Sequence, residues 1–305
     1  MKVHVDTDFA GDPDDACAVA MLLAMPDVDV VGVTTTLEDL GRRAGCARYV
    51  LDLMGHPDIS VAAGAESTLT GGLFTSTWSD IRQWPEPVRP SRSPPGAALD
   101  LLAASIEMGA TLIAIGGFTN LAMLELLRPG ILRDVPVVAM SGWFAPRADG
   151  FPKWGPEMDF NTQVDIRAAE IVTTVADLTL VPLPVAIGAW LRQSHLDRLR
   201  AIGPLGRLLA DQSEAHANES RFSTLASSNR GLPADLVNFH WDPVTAAVAV
   251  GWPGVAIEQT PSRCQVSDGV LTFVEDPAGT PLRRVTSLDG EEFSEFWLQT
   301  LEQTR

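Results

Sequence analysis

The sequence predicts an α/β fold: an open, mostly parallel sheet flanked by helices on both faces, with extra strands toward the C-terminal end. Three observations predict it. Short apolar runs alternate with helical patterns through the first two-thirds of the chain, the rhythm of repeated βαβ units. The first of those runs, Val3–Val5, is continuous, as in a strand buried on both faces. Late in the chain the rhythm changes to consecutive strand-like runs, which read as a hairpin or meander.

The elements follow in order. A strand over Lys2–Val5 leads to a helix over Asp14–Met25, marked by apolar residues from Ala16 to Leu23. Further strands are predicted at Val28–Thr35, Ile59–Val61, Thr111–Ile115, Val135–Met140 and Leu178–Val181. Helices lie between them at Leu40–Met54, Gly96–Met108, Asn120–Leu127 and Val164–Val175. Ser67–Pro95 and Ser141–Asn161 break the rhythm. Both are rich in Trp, Pro and Gly and follow candidate strands, so they are expected as long loops at the ligand edge. Leu191–Asp235 reads as helical and polar, and Pro243–Val250 as a helix. Strands at Val255–Val266, Gly269–Val274 and Arg283–Leu288 precede a last helix over Glu291–Gln303. With neither repeat nor linker visible, residues 1–305 are expected to form one domain.

Composition narrows the function. Hydrophobic residues make up 46% of the chain, ample for a sizeable core. A formal charge of −17 argues against a nucleic-acid polymer as partner, because such readers carry a basic footprint. Neither a signal-like leader nor an apolar run of membrane-spanning length is present. Cys17, Cys46 and Cys264 are odd in number and far apart, which indicates neither a disulfide framework nor a zinc cluster. A cytoplasmic protein without a membrane partner is expected. The sequence lacks the GxxxxGK[ST] phosphate loop of ATP chemistry.

The chemistry begins in the first turn. Asp6, Asp8, Asp12, Asp14 and Asp15 fall within ten residues, at the carboxyl end of the first strand, where open α/β sheets hold their ligands. Carboxylates this dense repel one another and are best tolerated around a cation. The plainer alternative is a solvated turn whose last acids cap the helix. An EF-hand does not fit: a loop begun at Asp6 puts Gly11 at the sixth position but Cys17 at the twelfth, where Glu is needed.

Asp6-Thr7-Asp8, followed by Asp14-Asp15-Ala16 and an apolar helix, resembles the opening of the inosine–uridine nucleoside hydrolase family, with two extra residues between the aspartate pairs. The resemblance continues in order along the chain. It includes Gly32-Val33-Thr34-Thr35, the glycine-rich Ala114–Ala122, Val137–Gly142, Asp159-Phe160-Asn161 with Asp165 and Ala168-Ala169, and finally Trp241-Asp242-Pro243. It implies a Rossmann-like nucleoside hydrolase fold and calcium-dependent hydrolysis of the N-glycosidic bond of ribonucleosides to free base and ribose. By the same resemblance Asp8, Asp15, Asp242 and the carbonyl of Ile115 would hold Ca2+, and Asp8 would take a proton from the metal-bound water. Asp14 and Asn161 would bind the ribose hydroxyls and Asp159 the 5′-hydroxyl. Asp39 would stand close to the sugar and metal shell, Asp6 would brace the loop, and the assembly would be a homodimer or homotetramer. The inventory suits the chemistry: cleaving this bond builds positive charge on the ribose, which a ring of carboxylates stabilises.

Several positions depart from the family's pattern. Trp241 stands where many members carry a His acid for the leaving base, and His240, one residue earlier, points about a quarter turn away on a helix start. Trp-Asp resembles the purine-preferring branch, in which the base is sandwiched between indole rings. Trp241 is therefore the catalytic candidate at the base end, favouring a purine or modified base. A second ring would come from Trp78, Trp84, Trp143 or Trp154. Asp159 shortens the usual Glu, a His-Gly motif after the third strand is missing, and Asp12 is an extra acid. Plainer readings stand beside these: Asp242 and Asn161 as helix caps, Asp159 as a surface acid, and Trp241 as core. His56, His195 and His216 read as surface or capping residues, and Arg42, Arg43, Arg48, Arg283 and Arg284 as solvated faces or subunit contacts. The rival functions are a non-catalytic ribonucleoside-binding protein of the same fold and a metal-dependent phosphohydrolase.

Overall fold

The computed structural model describes residues 1–72, 84, 87–145 and 149–303. Six parallel strands form the centre: β1 (Lys2–Thr7), β2 (Asp29–Thr35), β3 (Val61–Ala63), β4 (Thr111–Ile115), β5 (Pro136–Met140) and β6 (Asp177–Val181). A small antiparallel ribbon, β7 (Trp190–Arg192) with β8 (Leu236–Phe239), stands apart. The late strands β9 (Val255–Ser267), β10 (Val270–Glu275) and β11 (Thr280–Leu288) pair antiparallel among themselves, and β11 joins β6 in parallel. The nine-stranded sheet thus runs β10-β9-β11-β6-β5-β4-β1-β2-β3. The expected C-terminal strands extend the main sheet rather than forming a separate layer.

Strand periodicity sets the layers. In β4, Ile113 and Ile115 enter one apolar core, while Leu112 and Ala114 enter the other. β5 repeats this, with Val138 and Met140 on the first face and Val137 and Ala139 on the second. The first face is covered by α1 (Asp14–Ala24), α2 (Arg42–Leu53) and further helices introduced below; the second by α3 (Ala97–Glu107) and α4 (Thr119–Leu127). Covering both faces explains why these strands are apolar throughout.

After β5 come α5 (Phe160–Gln163) and α6 (Ile166–Val175), the latter capped by Asp165, which accepts from the Ala168 amide at 3.2 Å. Then comes α7 (Leu183–Ala186), a single turn that was not predicted, and α8 (Leu196–Ala201), α9 (Pro204–Glu219) and α10 (Phe222–Ser228) occupy the stretch Leu191–Asp235 expected to be helical and polar. β7 and β8, at its two ends, were not predicted; three or four residues are too few to show a period of two. Finally α11 (Trp241–Ala249) and α12 (Gly290–Glu302) close the first face, where buried Trp297 donates from its indole to the Cys17 carbonyl at 3.1 Å. α11 begins at Trp241 rather than Pro243, so Asp242 lies in its first turn instead of capping it. Among the described residues no helix is long and apolar enough to cross a membrane.

Candidate active site

β1 runs two residues further than predicted, because Asp6 and Thr7 still pair with Thr34 and Thr35 on one side and Ala114 and Ile115 on the other. The chain then turns through Ala10, whose φ of 76° is left-handed, and enters α1 behind Pro13. Pro13 at the N-cap offers no side-chain acceptor; Asp14 and Asp15 lie in the first turn of α1, where the helix dipole favours negative charge. The Thr7 hydroxyl donates to Asp15, and the Phe9 amide donates to Thr7 Oγ1 at 3.1 Å. Gly116, just beyond β4, lies so close to this loop that a Cβ there would sit 2.7 Å from the Asp8 nitrogen. α11 packs beside α1 and brings Asp242 across to the pair.

Carboxylate oxygens of Asp14, Asp15 and Asp242 lie within 4.8 Å of one another, and all three residues are buried. Burial raises each carboxyl well above the usual range, and the neighbouring aspartates raise it further. Asp8, half-buried, faces the same space outside that tight triad. Its carboxyl is also raised by burial, opposed by the positive charge of Arg43. That arginine is only 7% exposed, which corrects its assignment to a solvated face or subunit contact. It donates from Nε to the Leu37 carbonyl at 2.9 Å and from Nη1 to the carbonyls of Phe9, at 2.9 Å, and Asp8. Nothing in Arg42-Arg43 marks which of the two points inward; that depends on the phase of α2, set by Glu38. Buried Glu38 accepts from the amides of Asp39 at 2.9 Å, Arg43 at 3.0 Å and Ala44 at 3.0 Å. Asp39 is not among the cavity-lining residues: it pairs outward with Arg42 at 2.8 Å.

These acids form one end of a cavity of about 430 Å³. Asp8, Asp14, Asp15, Ile115, Asp159, Asn161, Trp241 and Asp242 all line it, so the structure gathers every predicted site residue except Asp39. Asp159 is 1% exposed, which rules out a surface acid. Its Oδ2 accepts from the Gly142 amide at 2.8 Å and the Thr162 hydroxyl at 2.6 Å, while Oδ1 is buried with no partner among the described residues. Burial pushes this carboxyl up to about 6 against those hydrogen bonds. Asn161 lies inside α5 and donates to the Met140 carbonyl at 3.0 Å rather than capping α6.

The other end is aromatic. The ring of Trp241 stacks on Phe239 at 4.4 Å and 23°, Trp154 lies 6.3 Å from Trp241, and Phe222 stands edge-on to Phe239 at 5.3 Å. Of the four candidate second rings, Trp154 lines the cavity. Trp84 is buried edge-on against Tyr49 at 5.4 Å, Trp143 is buried and does not line this cavity, and Trp78 lies outside the described residues. Sequence reasoning missed Phe239 and Phe222, the first because β8 was not recognised. His240 turns into the core against Trp297 at 4.6 Å and Phe293 at 5.7 Å, and burial holds it neutral with a pKa of about 3. His216 is no simple surface residue, since its Nε2 lies 3.5 Å from Asp12 Oδ2.

A carboxylate cluster at the carboxyl edge of a parallel sheet, opening on an aromatic-walled cavity, defines an enzyme site for a small molecule with a polar and a flat part. A sequence profile described as inosine-uridine preferring nucleoside hydrolase matches residues 3–295, and the chain belongs to that family of enzymes. The pyrimidine-specific ribonucleoside hydrolase RihA of Shewanella baltica is 32% identical over 229 residues, 69% of each chain. That of Salmonella schwarzengrund is 28% identical over 211 residues, 65% of this chain and 66% of its own. Among solved structures, the plant nucleoside hydrolase PpNRh1 matches with a TM-score of 0.81 at 23% identity, covering 99% of this chain and 98% of that one. A purine-preferring ribonucleoside hydrolase from Gardnerella vaginalis matches with a TM-score of 0.81 at 20% identity, covering 100% and 99%. These two similarities speak to the fold.

Proposed function

We propose that this protein hydrolyses the N-glycosidic bond of ribonucleosides to free base and ribose, with Ca2+ as its cation and a purine or modified base as the favoured leaving group. One observation carries the reading: a single cavity has buried carboxylates at one end and stacked aromatic rings at the other. That is the polarity of a nucleoside.

The donor set fits a hard cation. Asp8, Asp15, Asp242 and the Ile115 carbonyl, with Asp14 close beside them, offer only oxygen, and carboxylates buried this close to one another are disfavoured as anions first by burial and then by their neighbours, a cost that a divalent ion would relieve. Calcium held there supplies positive charge that makes a water more acidic and anchors sugar hydroxyls. Asp8 accepts the proton of the attacking water, and Arg43 beside it favours the ionised form needed for that task. Asp14 and Asn161 orient the ribose hydroxyls. The unpartnered Oδ1 of Asp159 is placed to accept from the 5′-hydroxyl. The carboxylates together stabilise the oxocarbenium-like charge of the transition state.

At the base end, Trp241 and Trp154 offer faces for stacking, worth about 1–3 kcal/mol per base. The RihA relatives named above are pyrimidine-specific; Trp241 stacked on Phe239 with Trp154 at 6.3 Å, the Trp-Asp pair that resembles the purine-preferring branch, supports a purine in this chain. The phosphohydrolase reading fares worse, because Arg43 directs Nε and Nη1 to carbonyls. A cytoplasmic setting agrees with the free thiols of Cys17, Cys46 and Cys264.

Incubation with purine and pyrimidine ribonucleosides, followed by assay of released reducing sugar, tests the proposal. Release is expected, fastest from purines, and lost on calcium chelation. A folded, calcium-loaded protein that releases sugar from none of them would overturn it, and phosphate release from monoesters would favour the rival.

A further inference from the structure

Asp12 belongs to the two-residue excess in the acidic loop, and the assigned chemistry leaves it without a task. Yet three elements hold it. Its Oδ1 accepts from the Asn238 amide at 2.8 Å and from the Asp14 backbone amide at 3.3 Å, and its Oδ2 lies 3.5 Å from His216 Nε2. Asn238 is buried, and the Phe239 amide donating to its Oδ1 at 2.9 Å fixes which end of the side chain faces Asp12. His216 in turn packs edge-on against Phe222 at 5.4 Å. An acid that merely solvates a turn would need none of this.

The same side chain lines the cavity. It is tied on one side to the loop of carboxylates and on the other, through His216 and Phe222, to the aromatic wall. The wall discriminates weakly, since every base has a π-face. Discrimination in such a pocket falls to its few fixed polar groups. A carboxylate accepts hydrogen bonds and donates none, and Oδ2 keeps lone-pair capacity beyond its distant His216 contact.

We propose that Asp12, held by Asn238 and His216, is a specificity determinant for the leaving base, accepting a hydrogen bond from a ring N–H or exocyclic amino group. Its negative charge also opposes departure of a base as an anion and favours one that leaves neutral, carrying N–H. The substrate class it selects is nucleosides with a lactam or amino edge, over ribosides whose leaving group lacks an N–H donor. This inference rests on the ribohydrolase reading.

The test compares the wild type with Asp12→Asn on inosine, adenosine and cytidine, and on 4-nitrophenyl riboside, whose leaving group departs as an anion. The ratio of kcat/KM for the nucleosides to that for 4-nitrophenyl riboside is expected to fall about tenfold or more. Asn238→Ala, which loosens Asp12 without removing it, should lower the same ratio by less, and melting curves confirm that both variants fold. Parallel losses on all substrates, or no change in the ratio for either variant, would overturn the proposal and leave ribohydrolysis standing. If the calcium-loaded wild type cleaves none of these compounds, the ribohydrolase reading falls by itself. Calorimetric titration with inosine then decides the role of Asp12: weaker binding by Asp12→Asn supports it, and equal or absent binding ends it.

Discussion

At the residue scale, Asp8 and Asp6 stand one residue apart in the sequence and have opposite work. Asp8 faces the cavity beside Arg43, so Asp8→Asn is expected to lower kcat for ribose release by about 10²–10⁴-fold. Thermal stability of the calcium-stripped protein should hold or rise, because a repelling charge has gone; retained turnover would show that another group takes the proton. Asp6 faces inward, accepting from Thr34 Oγ1 at 2.6 Å and the Asn120 amide at 2.8 Å, with Oδ2 unpartnered among the described residues. Burial pushes its carboxyl up to about 7. The native state therefore holds a proton that the unfolded state has already lost, and stability falls as pH rises through about 7. His4 and His240, held near 3 by burial, act oppositely: the unfolded state gains their protons below about 6.5, and stability falls with falling pH there. Between pH 6.5 and pH 8 the two effects oppose each other, so the share of Asp6 is read by difference: in calcium-stripped protein Asp6→Asn should lower the Tm at pH 6.5 relative to that at pH 8, compared with the wild type. An unchanged difference would assign the pH response to the site carboxylates alone. The acids were legible because five in one turn is a composition no cap requires. Arg43 was not, since a lone arginine carries no mark of which way its helix faces.

At the scale of elements, the site depends on how closely strand ends approach. Gly116 lets β4 pass under the acidic loop, with Thr36 Cγ2 as well as the Asp8 nitrogen inside 3.0 Å of where a Cβ would stand. Backbone cannot yield as a flexible side chain does. Gly116→Ala is therefore expected to destabilise by about 1–3 kcal/mol and to depress kcat by displacing Asp8. Melting curves and single-turnover ribose release check both; full activity would mean the loop has slack. The β7–β8 ribbon gave no hint in the sequence, being two very short strands separated by three helices, although it delivers Phe239 to the cavity, sets Asn238 against Asp12 and leads into Trp241. Helix starts were legible to within two or three residues. That margin matters here, because it moved Asp242 from a capping position into the first turn of α11.

For the whole molecule, the alternation of apolar runs was enough to foresee a parallel sheet, because burial on both faces leaves a strong sequence trace. The pairing of β11 with β6, which joins the late strands to that sheet, was not foreseeable: pairing partners distant in sequence leave no periodic signal. The cation links fold to function. Asp14, Asp15 and Asp242 come from two helices and repel one another, so calcium should raise the Tm in a concentration-dependent way, by mass action on the native state. A Tm indifferent to calcium and to chelation would mean the cluster holds no such ion. The central claim, water attack on the sugar–base bond, is tested most directly by turning over a ribonucleoside in ¹⁸O-water and weighing both products. The expected result is unlabelled free base together with ribose carrying one ¹⁸O at its anomeric carbon, formed one to one. Release of label into phosphate from a nucleotide with the sugar–base bond intact, or no cleavage by the calcium-loaded protein, would contradict it.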